Sequence, residues 1–92
     1  MKFVSLIASP SDDKKYKIVF SDPHKTIHFG SKGSSTYLDH KDKAKRTAYI
    51  ARHRANEDWT KINAGSLSRF LLWGDSTSLR TNLASYKKRF NL

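Results

Sequence analysis

The chain has 92 residues, with eighteen Lys and Arg against eight Asp and Glu, and a formal net charge of +10 with four histidines counted as neutral. No apolar run approaches the ~18 residues of a membrane span, and with no cysteine there is no disulfide framework, thiolate metal site or Cys nucleophile. The length suits one domain over residues 1–92, and a low apolar content of 37% beside 12% aromatics points to a thin aromatic core rather than disorder.

Lys2 to Ala8 is rich in Phe, Val, Leu and Ile and reads as a short strand or arm within residues 1–10, too brief for a signal-peptide apolar region. Pro10 and Ser11-Asp12-Asp13 end it. Residues 14–33 read as a β-hairpin and loop. Tyr16, Ile18 and Phe20 alternate onto one face, Ser21-Asp22-Pro23-His24 supplies turn chemistry, and Ile27 and Phe29 share a face on the return. Gly30 to Ser35 is a loop.

From Asp42 the hydrophobic period changes, and residues 42–90 read as two or three short helices. Asp42 is the N-cap of the first, which runs to about Arg54 with Tyr49 on its inner face. Asn56 to Asn63, containing Trp59, is an irregular connector. Ala64 to Trp73 carries Leu67, Phe70 and Leu71 at helical spacing, with Gly74 as its stop. Ser76 or Thr77 caps a last helix striped by Leu79, Leu83, Tyr86 and Phe90. Strands first and helices after make an α+β domain.

The charge has no tail to sit on. Residues 1–46 carry ten basic and five acidic groups and residues 47–92 eight and three, so each half comes to +5. The densest stretch runs from Lys41 to Arg54 and includes Lys43, Lys45, Arg46 and Arg52. With Tyr37 and Tyr49 nearby it fits phosphate binding, although no zinc-finger, RRM or helix-turn-helix pattern accompanies it. An acidic protein surface suits the same cations, and Arg69, Lys87, Lys88 and Arg89 join them as candidate partner contacts. A solvated helix face is the bland reading.

Other constellations are weaker. His24 and His28 lie four apart on a hairpin, which favours ordinary hydrogen-bonding histidines over a metal site, and no cofactor or metal is expected. Gly30-Ser31-Lys32-Gly33-Ser34-Ser35 has the parts of a phosphate cradle without the Walker spacing, leaving an ordinary turn and one anion contact through Lys32. A catalytic set of His40, Arg52, His53, Glu57 and Asp58 requires a concave pocket gathering His53 and Glu57. A capping or salt-bridge cluster at a helix end near Trp59 explains Arg52, His53 and Glu57 equally. The expectation is a non-enzymatic protein without a small-molecule substrate.

An ordered series carries a resemblance. It comprises Lys15-Tyr16-Lys17-Ile18-Val19-Phe20-Ser21-Asp22, Lys25-Thr26-Ile27-His28-Phe29-Gly30-Ser31-Lys32-Gly33, and then Tyr37, His40, Asp42, Arg46, Tyr49, Arg52-His53, Glu57, Trp59, Ala64-Gly65, Ser68-Arg69 and Leu72-Trp73. The series, over residues 14 to 80, resembles an uncharacterised family of small basic proteins from nucleocytoplasmic large DNA viruses of algae and amoebae. The chain departs from that pattern at Asp22-Pro23-His24, Ser34-Ser35 and Leu67. The resemblance implies a virion protein assembled in the host cytoplasm. It is either a minor capsid protein cementing neighbouring capsid proteins or a DNA- or RNA-binding protein that uses Lys41 to Arg54. Lys2 to Ala8 lies outside the resemblance and is free to pair with a neighbouring subunit's sheet edge. Trp59 and Trp73 are expected to hold the fold.

Overall fold

The computed structural model describes residues 1–92. Three antiparallel strands come first, β1 (Lys2–Ala8), β2 (Lys14–Ser21) and β3 (Lys25–Ser31), ordered β1-β2-β3. Helices α1 (Tyr37–His40), α2 (Lys43–Arg54), α3 (Ala64–Leu67) and α4 (Leu79–Arg89) follow, and a π-helical turn over Ser68–Leu72 continues α3. The domain is therefore α+β.

Alternation sets the register. Tyr16 faces Phe29 and Ile18 faces Ile27 across β2–β3, while Leu6 faces Ile18 and Phe3 faces Phe20 across β1–β2. Because side chains alternate, these pairs put one apolar face of the sheet toward the helices. The register slips between Phe3 and Ser5, leaving Val4 as the extra residue of a bulge. Ile18, Phe20 and Phe29 from this face close on Leu67, Leu71, Leu72 and Tyr86 to form the buried core. Lys2 to Ala8 is thus bound into its own chain's sheet by one edge, and the other edge of β1 has no strand beside it.

Helix α1 is a turn that hydrophobic periodicity does not reveal. Thr36 starts it: its backbone N–H and its hydroxyl both donate to Asp39 Oδ2, at 2.8 and 3.1 Å. That cap lets a four-residue helix form where propensity alone is insufficient. Asp42 caps α2 as expected, accepting from the backbone N–H groups of Ala44 and Lys45. These bonds hold its carboxyl below the usual carboxylate range. Ser78, rather than Ser76 or Thr77, caps α4 through the N–H of Thr81.

Gly74 ends the middle helix for a reason other than the expected left-handed stop. Its φ is not positive, but a Cβ there would strike the carbonyl of Phe70 and lie 2.7 Å from Asn82 Cγ. Asn82, buried on α4, occupies that space. Its amide donates to Leu71 O and Ser76 O and accepts from Ser76 N–H, which fixes the connection between the π turn and α4.

Candidate functional site

Helix α2 has one buried side chain, Tyr49, and through it the helix joins a column of rings. Tyr49 stacks on Trp73 at 4.3 Å between centroids with planes 5° apart, and on His53 at 4.1 Å. His40 closes the other end against Trp73 at 5.2 Å. Burial of Tyr49, aided by the Glu57 charge, pushes its phenol up to about 12, so the hydroxyl stays neutral. Arg46, one turn before Tyr49, donates to the carbonyls of Trp73 and Gly74 at 3.2 and 2.9 Å and pairs with Asp75 at 2.6 Å. Arg69 donates to the same Trp73 carbonyl at 2.9 Å. Two guanidinium groups therefore satisfy the open carbonyl end of the π turn.

A cleft of about 460 Å³ opens beside this column. Tyr49, Arg52 and His53 of α2 form one wall, with Leu72 and Trp73 behind them. Lys14, Gly30 and Ser31 come from the sheet, and Ser34, Ser35 and Thr36 from the following loop. Glu57, Gly65 and Ser68 contribute to the remaining side. A smaller hollow of about 230 Å³ shares Ser35, Arg52 and Trp73 with the cleft and adds His40 and Lys45.

The imidazole in the wall is oriented. His53 Nδ1 lies 2.7 Å from Glu57 Oε2, and the Trp59 indole N–H donates to Glu57 Oε1 at 2.8 Å. Gly65 leaves room for this carboxylate, since a Cβ there would sit 3.1 Å from Glu57 Oε1. The helix-end cluster and the concave pocket read from the sequence are thus one object. Arg52, His53 and Glu57 meet in the cleft, while His40 faces the neighbouring hollow. Asp58 turns to the hydroxyl and backbone N–H of Thr60, which lowers its pKa. No hydroxyl in the cleft hydrogen-bonds to His53.

The candidate cations divide sharply. Lys41, Lys43, Lys45, Arg52 and Arg54 are exposed, and none faces a carboxylate within ion-pair distance. Arg46 and Arg69 are half-buried and bound within the fold, and burial lowers the Arg69 pKa. Lys87 lies over the Phe3 ring at 4.8 Å and Arg89 over Phe70 at 4.0 Å, whereas Lys88 is exposed. Lys32 is turned away from the cleft, its ammonium on the carbonyl of Ser11 at 3.1 Å. Lys14 stands in the cleft instead, a residue that sequence reasoning passed over because strand alternation does not say which loop closes over it. His24 and His28 bond to Thr26 and Ser9, and no three His, Asp or Glu side chains gather as a metal site would require. Trp73 braces the ring column as expected, and Trp59 packs edge-on to Phe70 beneath Arg69. No helix is long and apolar enough to cross a membrane.

One family model matches residues 4–53, more than half of the chain, and its description is "Family of unknown function (DUF5754)". The match spans most of β1, all of β2, β3 and α1, and all but the last residue of α2. No curated protein and no solved structure matches.

Proposed function

We propose that this chain, which belongs to the DUF5754 family, is a non-enzymatic structural protein of a large DNA virus, a minor capsid component fastening neighbouring capsid proteins. The observation that carries this reading is the open edge of β1. Its outer row of backbone N–H and C=O groups has no strand beside it, and Val4 and Ile7 on the same strand are 54% and 49% exposed. A protein strand matches both the donors and the acceptors of such an edge and covers the apolar side chains. A phosphodiester backbone offers acceptors only. On another part of the surface, the unpaired cations of α2 suit an acidic protein face. Two unlike contact regions are what a bridging protein needs. The viral resemblance of residues 14 to 80 supplies the setting.

Stepwise disruption of purified particles tests this assignment. The protein is expected to remain with the shell after the genome is released, and Ile7→Lys is expected to fold but fail to incorporate. Departure of the wild-type protein with the genome overturns the capsid role.

The exposed, unpaired Lys41, Lys43, Lys45, Arg52 and Arg54 favour one alternative, a virion protein bound to DNA or RNA phosphates. That reading requires binding to random duplex DNA that falls steeply between low and physiological salt. No binding at low salt removes it.

A further inference from the structure

The cleft beside α2 has a chemistry that neither capsid contact nor a groove for a polymer explains. We propose that it is a binding site for the phosphate group of a nucleotide-sized phosphate monoester. Lys14 and Arg52 are 38 positions apart, and only the fold puts them around one space.

Charge and donors select the ligand class. Lys14 and Arg52 line the cleft and neither faces a carboxylate, whereas the adjacent Lys15 is paired with Asp39 at 3.6 Å. The one carboxylate in the lining, Glu57, has both oxygens committed, to His53 and to the Trp59 indole. The hydroxyls of Ser34, Ser35 and Ser68 have no partner within the chain, so they remain free for a ligand. Two cations and several free hydroxyls suit an anion with three or more acceptor oxygens, which a phosphate monoester has and a carboxylate lacks.

Size and shape select the rest. A volume of about 460 Å³ falls within the ~300–1,000 Å³ range of small-ligand sites and exceeds what bare phosphate fills. Tyr49, Leu72 and Trp73 supply an apolar side for the remainder of the ligand. The loop that closes the cleft is set by Gly30 at φ +80°, where a Cβ would lie 2.8 Å from Leu72 Cδ1.

NMR titration of the full chain tests the site, with inorganic phosphate, adenosine monophosphate and adenosine as probes. Phosphate and the monophosphate are expected to give saturable shifts at Arg52, at the Ser34–Ser35 amides and at the His53 ring nitrogens. Adenosine is expected to give none. Arg52→Ala and Lys14→Ala are expected to weaken monophosphate binding about tenfold or more, the scale of a lost charge-assisted bond, while Arg80→Ala, at an exposed residue of α4 outside the cleft, leaves it unchanged. Equal weakening in Arg80→Ala would reduce the effect to diffuse surface charge and overturn the proposal. So would adenosine saturating the same signals, no saturation by any probe, or a short DNA duplex occupying the site more tightly than the monophosphate. The β1 edge plays no part in the measurement, so failure here and failure of the capsid role are separate results.

Discussion

Helices α2 and α4 are nearly equal in length, at 12 and 11 residues, and both end in three basic residues, yet the domain holds them differently. Helix α4 is set by burial. Tyr86 and Asn82 are enclosed, and Leu79, Leu83 and Phe90 pack against the core. Helix α2 buries only Tyr49 and relies on the Tyr49–Trp73 stack and the three bonds of Arg46. Burial scales with area and has no preferred direction, whereas stacked rings and guanidinium bonds fix distance and angle. The first holds the domain together. The second sets where α2 places Arg52 and His53 relative to the sheet.

The contrast can be broken most severely at the shared core. Leu71 is fully buried between the sheet and α4, so Leu71→Ala is expected to cost about 2–5 kcal/mol in urea denaturation. The sheet and both helices should unfold together. Separate transitions for α2 and α4 in this variant would show that they do not share one core.

Arg46→Ala sharpens the contrast. It removes bonds to two carbonyls and a carboxylate and is expected to cost about 2 kcal/mol. Hydrogen exchange should quicken in α2 while α4 amides keep their protection. Equal quickening in both helices would deny that Arg46 acts as the local clamp of α2.

Tyr86→Phe is the smallest change, deleting the 2.8 Å hydroxyl contact with Ser66 for about 1 kcal/mol at neutral pH. Its larger consequence lies in alkali. Burial pushes the Tyr86 phenol up to about 12 from an ordinary 10, against the opposing effect of the Ser66 hydrogen bond. A phenol that ionises more readily unfolded than folded contributes stability that is complete below pH 10 and lost as pH rises through about 12. Tyr49 behaves alike on the α2 side. Wild-type stability is therefore expected to fall across that window, and more gently in Tyr86→Phe. Parallel loss in both proteins would remove Tyr86 from the linkage.

Local signals account for much of the fold. The alternation of Tyr16, Ile18 and Phe20, the Asp42 cap and the Leu79–Leu83–Tyr86–Phe90 stripe are each short-range patterns that side-chain geometry turns into an element. The missed turn at α1 had a short-range signal too, Thr36 three residues before Asp39, but too few apolar residues to show a period. The π turn left no such mark. It is held by Arg46 and Asn82 meeting its backbone from distant positions, and the need for glycine at position 74 comes from the same close approach of Asn82.

The candidate site was legible only in pieces. His53 and Glu57 are four apart, so their contact was within reach of sequence reasoning. The dense basic run was equally visible, but which of its members remain free was not. Arg46 is one turn from Tyr49 and is drawn into the carbonyl end of the π turn, 27 and 28 positions away. Arg52, one turn beyond Tyr49, lines the cleft and stays available.

By itself the sequence determined the class of the domain, its strands-then-helices order and its excess of eighteen basic over eight acidic residues. Composition and local periodicity act over a few residues and need no partner. The tertiary structure alone decided where that excess is spent. A cation is neutralised, bonded to a carbonyl or left free according to what the fold brings within about 4 Å of it. That is how Arg46 and Arg69 became structural, while Lys14 and Arg52 came to line one cleft.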